Sequence, residues 1–332
     1  MTIINGIEID DVKYINNEIK SAIKNNDPIE KKLNVIIVIS NPCKYATRYK
    51  LCNEFINRIE NEDSEYVNLY VVELVYKNHN NNFYVTNSNN PNHLRLTCDT
   101  PLWHKENMIN VGIKKLLPNN WKAVAWIDAD IEFDNFSWAL DTLKVLNGCR
   151  DIVQLFSHAI DMDKNENTMS IHTSFGYQYS KNKSYNSQGL DFWHPGYAWA
   201  ITRKAYEKIG GLYDLSILGS GDHNMAQSLL MNGLNSVNNQ TNTNYKKSVT
   251  DWQSKSRGLR LGYVPGVIRH YFHGQKKNRK YTERWQILVR HQYDPELHVS
   301  YNEDGILIPT DNCPQGLLDD IMEYFWERNE DE

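Results

Sequence analysis

The sequence predicts an α/β fold with a mostly parallel central sheet flanked by helices, and three observations carry that expectation. Apolar runs at 33–39, 70–75 and 124–127 are too continuous for half-exposed strands and read as strands buried on both faces. Helical periodicity fills the intervals between them, at 46–59 and 101–117. The resulting alternation of strand and helix is the pattern of parallel βαβ units. With 332 residues, the chain can bury a large core.

The elements follow in order. Val12, Ile15, Ile19, Ala22 and Ile23 recur at helical spacing, which predicts an amphipathic helix near 9–25, a packing extension ahead of the sheet. After the Asn-Asn-Asp-Pro break at 25–28 comes the first central strand, 33–39, then helix 46–59 and strand 70–75. Thr100 and Pro101 make a helix start, with Thr100 as N-cap and the proline in the first turn, where its missing N–H costs nothing. Leu102, Ile109, Ile113, Leu116 and Leu117 give that helix a buried stripe, and Pro118 closes it. The strand ending at Asp128 follows directly.

Beyond Asp151, residues 152–156 read as a strand, and 177–189, rich in Ser, Asn, Lys and Tyr, read as an exposed loop suited to a substrate lid. Short helices are expected at 203–209, stopped by Gly210-Gly211, and at 223–231, ended near Asn232-Gly233. The Asn-rich stretch 234–245 reads as mobile and 261–264 as a strand. Pro314 opens a last amphipathic helix through Leu317, Leu318, Ile321 and Phe325, and the acidic tail from Glu327 is expected to fray.

Composition narrows the class. A hydrophobic content of 40% and a charged content of 23% are ordinary for a globular protein. A net charge of −5 argues against a general nucleic-acid binder, although the run Lys276-Lys277-Asn278-Arg279-Lys280 would meet a phosphate if it lines a cleft. Elsewhere such a run is a solvated loop. No apolar stretch approaches the roughly 20 residues of a membrane span, and the first residues lack the charged head and apolar core of a signal peptide, so a cytoplasmic location is expected. Five cysteines without close pairs suggest reduced thiols rather than a disulfide framework or a zinc knuckle.

Chemistry concentrates at a few points. Asp128 and Asp130 flank one alanine at the end of an apolar strand, where alternate side chains point the same way and open α/β sheets receive ligands. Two like charges held together call for a divalent cation, and oxygen ligation favours Mg²⁺ or Mn²⁺ over Zn²⁺. Such pairs also cap helices, or open phosphatases of the haloacid dehalogenase class. That class places them on its first strand with a later G-D-x-x-x-D, whereas here the residue four after Asp222 is Ala226.

Asp222, in Gly219-Ser220-Gly221-Asp222, would occupy the first turn of a helix whose dipole keeps it ionised, which is ordinary helix chemistry behind a Ser220 N-cap. Near Gly196, where backbone can approach a ligand, Trp193 and Trp199 offer large indole faces that would also simply fill core. His270 and His273 lie close to a strand end and a basic run, where either alone would be read as a satisfied core histidine.

Taken together, the D-x-D at 128–130, the helix 102–112, the segments 193–203 and 210–214, the G-S-G-D at 219–222 and the H-Y-F-H-G at 270–274 resemble metal-dependent glycosyltransferases of the GT-A fold. The β-1,4-galactosyltransferase group and its bacterial and viral relatives are the most similar. The resemblance covers separated islands between 33 and 290. It implies a GT-A-like, Rossmann-like domain that uses Mn²⁺ (or Mg²⁺), held by Asp128, Asp130 and His270, with His273 as the second choice. It further implies a nucleotide-sugar donor, UDP-linked, contacted by Ser40, Arg48, Lys105, Asn110, Asp128, His273 and Lys276. A glycan or glycoconjugate acceptor would lie on Trp193, Gly196, Trp199 and Gly221, with Asp222 as general base in an inverting transfer. Arg279, Tyr281 and Arg284 look like the closing R-x-Y-x-x-R segment, and His223 departs from the second acid of many relatives. The implied division is a helical extension at 1–32, a nucleotide-sugar-binding half at 33–150, an acceptor-binding and catalytic half at 151–292 and a helical tail at 293–332. A sugar-binding descendant without turnover is the alternative.

Overall fold

Eight consecutive uncharged residues, Leu33–Ser40, form the strand around which the molecule is built. The computed structural model describes residues 2–4, 7–9, 16–77, 82–187 and 192–332. In chain order the first half comprises β1 (Thr2–Ile4), β2 (Ile7–Ile9), α1 (Asn17–Asn25), β3 (Leu33–Ser40), α2 (Ala46–Arg58), β4 (Val67–Tyr76), β5 (His93–Cys98), α3 (Lys105–Leu116), β6 (Ala123–Ile127), β7 (Ile131–Phe133) and α4 (Trp138–Leu146). Then follow β8 (Ile152–Gln154), β9 (His158–Met162), β10 (Thr168–Ser174), α5 (Phe175–Ser180), β11 (Trp193–His194), β12 (Ala198–Thr202), α6 (Arg203–Ile209), α7 (Gly221–Leu229) and α8 (Thr243–Ser256). The last elements are β13 (Leu261–Tyr263), β14 (Val267–His270), α9 (Trp285–Arg290), α10 (Pro295–His298), β15 (Val299–Tyr301), β16 (Leu307–Pro309) and α11 (Gln315–Glu327).

The central sheet runs β13-β8-β12-β6-β3-β4-β5. Every neighbouring pair is parallel except the two that flank β12. Both faces are covered, as a mostly parallel sheet requires. Ile36, Val72 and Trp126 pack with α3 on one side, and Val35, Ile37 and Ala125 pack with α2 and α4 on the other. On the first side Gly112 lets α3 lie close, because a Cβ there would stand 2.8 Å from a methyl of Val72. The expected α/β class with a mostly parallel sheet is therefore the one observed.

A second sheet, β11-β10-β9-β14-β7, branches from the first. The turn at 128–130 is the crossover, since β6 belongs to the central sheet and β7 to the branch. Register then decides what meets it: His270 at the end of β14 pairs with Ile131 on one side and with Asp161 of β9 on the other.

Several expectations change. Val12 and Ile15 lie outside the described residues; the helix itself spans only Asn17–Asn25, with Ile19 and Ala22 buried, and residues 7–9 pair antiparallel with 2–4. The Thr100-Pro101 helix start is displaced to His104, because Leu102 is buried and the Trp103 N–H is taken by the Ile217 carbonyl. The exposed loop expected from residue 177 begins as α5, with Tyr177 and Gln178 buried; residues 188 and 189 lie outside the described residues. The stretch 234–245 packs as a 3-10 turn and the start of α8, where Tyr245 is buried and its hydroxyl meets Ser216 and Asn224. β5 and α8 were not expected: β5 alternates apolar with polar residues as a half-exposed strand does, and α8 opens inside the Asn-rich run with Asn242 as its cap. The tail does not fray. No helix among the described residues is long and apolar enough to cross a membrane.

Candidate active site

One cavity of about 800 Å³ opens where β3, β6, α3, α7 and the two sheets meet. Its size is that of a small-molecule site. Ser40, Arg48, Lys105, Asp128, Asp130, Gly196, Asp222, His270, His273 and Lys276 all line it. Asn110, Trp193, Trp199 and Gly221 are not among its described lining residues.

Those four have other work. The Asn110 amide donates to the Leu212 carbonyl and its oxygen accepts from the Leu212 N–H and the Tyr206 hydroxyl, tying α3 to the turn after α6. The Trp199 indole donates to the Pro195 carbonyl and stacks on Trp126 at 6.5 Å. Trp193 is buried against Phe175 and Tyr185. Gly221 makes room for Glu106, whose Cδ would lie 2.6 Å from a Cβ there. Each makes packing or hydrogen-bond contacts away from the cavity lining, so the structure does not bring these four to the cavity with the other expected site residues.

The two aspartates of the D-x-D turn separate. Strand β6 ends at Ile127, so both carboxylates leave from the turn rather than from one strand face. Asp128 pairs with Lys105, the first residue of α3, while Asp130 faces the histidines. Burial pushes the Asp128 carboxyl up, against the opposing pull of Lys105. Burial also acts on Asp130, but His273 and His270 outweigh it and hold that carboxyl well below its ordinary value.

Asp130, His270 and His273 converge. Nε2 of His273 lies 2.9 Å from Asp130 Oδ2, Nε2 of His270 lies 3.8 Å from Oδ1, and the two nitrogens are 3.2 Å apart. The Nδ1 of His270 lies 2.9 Å from Asp161 Oδ1, which assigns the proton to Nδ1 and leaves a lone pair on Nε2. Asp130 Oδ1 is buried with no hydrogen-bond partner, an unmet acceptor beside two nitrogens. All three side chains offer ligand atoms within 4.8 Å of one another, near enough to share one metal ion. The mixed set of one carboxylate and two imidazoles fits Mn²⁺ better than Mg²⁺, which prefers oxygen.

Asp161, missed in the sequence, is the anchor behind this cluster. It is fully buried and receives the Tyr197 hydroxyl at 2.7 Å, the Ser170 hydroxyl at 3.1 Å and Lys276, with His172 Nε2 2.9 Å away. Burial alone would raise its carboxyl, but the His172 and His270 contacts and Lys276 hold it well below the usual range. Its signal was an acid inside the apolar strand 158–162. Tyr197 itself holds a left-handed backbone, φ +76°, uncommon for a bulky residue. Its carbonyl accepts from the Asp128 N–H at 2.8 Å and its ring stacks on His194 at 4.0 Å.

Opposite lies Asp222 in the first turn of α7, one oxygen 2.9 Å from where a Cβ on Gly196 would stand. Ser220 precedes it with φ +76° and does not cap the helix; its hydroxyl takes Arg284. Behind these, Glu106 is buried and its carboxyl is pushed up to about 8, by burial first and with Asp222 adding to it. Lys105 is held charged despite burial by Asp128, Asp222 and Glu106. Arg279 donates to His273 Nε2 at 2.8 Å and to the Tyr281 hydroxyl at 3.1 Å.

The acidic tail completes the wall. Glu330 is buried between Arg48 and Arg328, accepting from Arg48 Nη2 at 3.0 Å and Arg328 Nε at 2.6 Å. Burial would raise its carboxyl, yet the two guanidiniums hold it well below its ordinary value. Asp331 accepts from the N–H groups of Ala46 and Thr47, at 3.0 and 2.9 Å, and so caps the start of α2.

No protein-family model matches the sequence, and no curated protein matches it either. Among solved structures the chain is similar to the catalytic domain of Drosophila β1,4-galactosyltransferase 7 in complex with xylobiose, at 9% identity over 85% of this chain and 95% of that one, with a TM-score of 0.42. It is similar to a mutant of the same enzyme in complex with manganese, UDP-Gal and xylobiose, at 9% identity over 84% of this chain and 94% of that one, again with a TM-score of 0.42. At that level of similarity neither neighbour's ligands transfer to this chain by likeness alone.

Proposed function

We propose that the chain is a metal-dependent glycosyltransferase of GT-A type, moving a sugar from a UDP-linked donor to a hydroxyl of a glycan or glycoconjugate. The observation that carries this reading is the convergence of Asp130, His270 and His273, with one unclaimed carboxylate oxygen, in the same cavity as the separate carboxylate Asp222. Asp130, His270 and His273 would hold Mn²⁺, with Asp128 beside them. A bound Mn²⁺ supplies positive charge to a departing diphosphate.

The chain's own residues account for the rest. Arg48, Arg279 and Lys276 line the cavity near the cluster and favour an anionic ligand there. Ser40 ends β3, at the carboxyl edge of the sheet where nucleotides bind in open α/β folds. Asp222 takes the proton from the acceptor hydroxyl as its oxygen attacks the anomeric carbon opposite the leaving diphosphate, which inverts that centre. The absent Cβ of Gly196 leaves that carboxylate its place.

Asp222→Asn tests the assignment. Transfer, read as UDP release with donor and acceptor present, is expected to fall by about 100-fold or more. Metal-dependent UDP binding is expected to persist. Turnover equal to that of the unaltered protein would remove Asp222 from the mechanism, and no UDP release with any donor would remove the transferase reading.

A further inference from the structure

We propose that Glu330 is a positioning residue for the metal cluster, set behind His273 at ion-pair distance as Asp161 is set behind His270 at hydrogen-bond distance. The inference rests on the metal reading of Asp130, His270 and His273. Each imidazole turns Nε2 toward Asp130 and its far nitrogen toward a buried carboxylate. For His270 that carboxylate is Asp161, 2.9 Å from Nδ1; for His273 it is Glu330, whose Oε2 stands 3.7 Å from Nδ1. Asp161 is 0% exposed and Glu330 is 2% exposed, so solvent does not replace either one. A carboxylate behind a ligating imidazole fixes the tautomer, aims the ring and strengthens the lone pair on the nitrogen that meets the metal. Arg279 lies beside the same ring, 2.8 Å from His273 Nε2 and 3.4 Å from Nδ1, so the ring is held from its flank as well.

Glu330 is in turn held from several sides. Arg48 and Arg328 share its oxygens, and the Asn329 N–H donates to the Tyr45 hydroxyl at 3.1 Å. On the other side Gly274, directly after His273, has φ +85°. A Cβ there would lie 2.9 Å from the Glu330 Cα and 3.0 Å from the Asn329 carbonyl oxygen, so a residue without a side chain lets the tail reach the imidazole. The tail and the histidine loop fit each other as parts of one centre.

The test is Mn²⁺ binding to the full chain without nucleotide or acceptor, followed by the electron paramagnetic resonance of the free ion. Glu330→Gln retains an acceptor for the arginines and removes the charge, and is expected to weaken Mn²⁺ binding by about 10- to 100-fold. Imidazole ¹⁵N shifts of the metal-free protein supply a readout that loss of packing alone does not imitate: His273 is expected as the Nδ1–H tautomer, and as a mixture in Glu330→Gln. Saturable Mn²⁺ binding that is lost in Asp130→Asn but stays within twofold in Glu330→Gln overturns the role of Glu330 alone, as does His273 found as the Nε2–H tautomer. No saturable binding in the unaltered protein overturns the metal reading and this inference with it.

Discussion

Asp128 and Asp130 are separated by one alanine and serve different partners, which only the fold could reveal. Their spacing marked a charged turn after a buried strand, but the turn crosses between two sheets and sends one carboxylate to Lys105 and the other to His270 and His273. Those histidines were legible as a pair. Asp161 and Glu330 were not, because their roles arise from β9–β14 register and from a tail that returns to α2. Glu106 gives a pH test at the same scale. Its carboxyl, ordinarily near 4.5, is raised to about 8 in the folded chain, so between those values the folded state binds more protons than the unfolded one. Stability is then lost as pH rises through that window. Glu106→Gln is expected to relieve the cost, gaining on the order of 1–3 kcal/mol over the parent at pH 8 and little at pH 5, read from denaturant midpoints.

Elements were legible where burial is symmetrical. The run at 33–39 announced β3 because both faces of that strand are covered, and Gly210 announced the end of α6 through its left-handed φ of +76°. Thr100 and Pro101 misled, since a good cap sequence cannot overrule the Trp103 bond to Ile217. Gly112 in α3 carried no signal of its own, being one helical glycine among ordinary neighbours, yet it sets how near that helix lies to β3 and β4. Gly112→Ala would place its methyl 2.8 Å from Val72 and 3.3 Å from Ile36. A loss of about 1–3 kcal/mol is expected from denaturant unfolding, with α3 and hence Lys105 pushed outward.

The whole molecule uses its two larger sheets to bring distant segments to one cavity: Arg48, Lys105, Asp130, Asp222, His270 and Glu330 come from six separate stretches of chain. Such a site is a poor sequence signal, because each residue is ordinary in its own neighbourhood. It also makes ligand and fold mutually stabilising. A nucleotide at about 100 times its Kd is expected to add ~2.7 kcal/mol to unfolding. UDP with Mn²⁺ should therefore raise the melting temperature, and chelation should erase the gain; an equal rise without Mn²⁺ would separate nucleotide binding from the metal.

The docking of residues 328–331 onto α2 sets an order of events. His273 leaves the ribosome before Glu330, so a nascent chain can pair its strands before the tail closes behind that imidazole. On the metal reading proposed above, a protease nick just beyond α11 would yield a body that keeps its two larger sheets but grips Mn²⁺ more weakly.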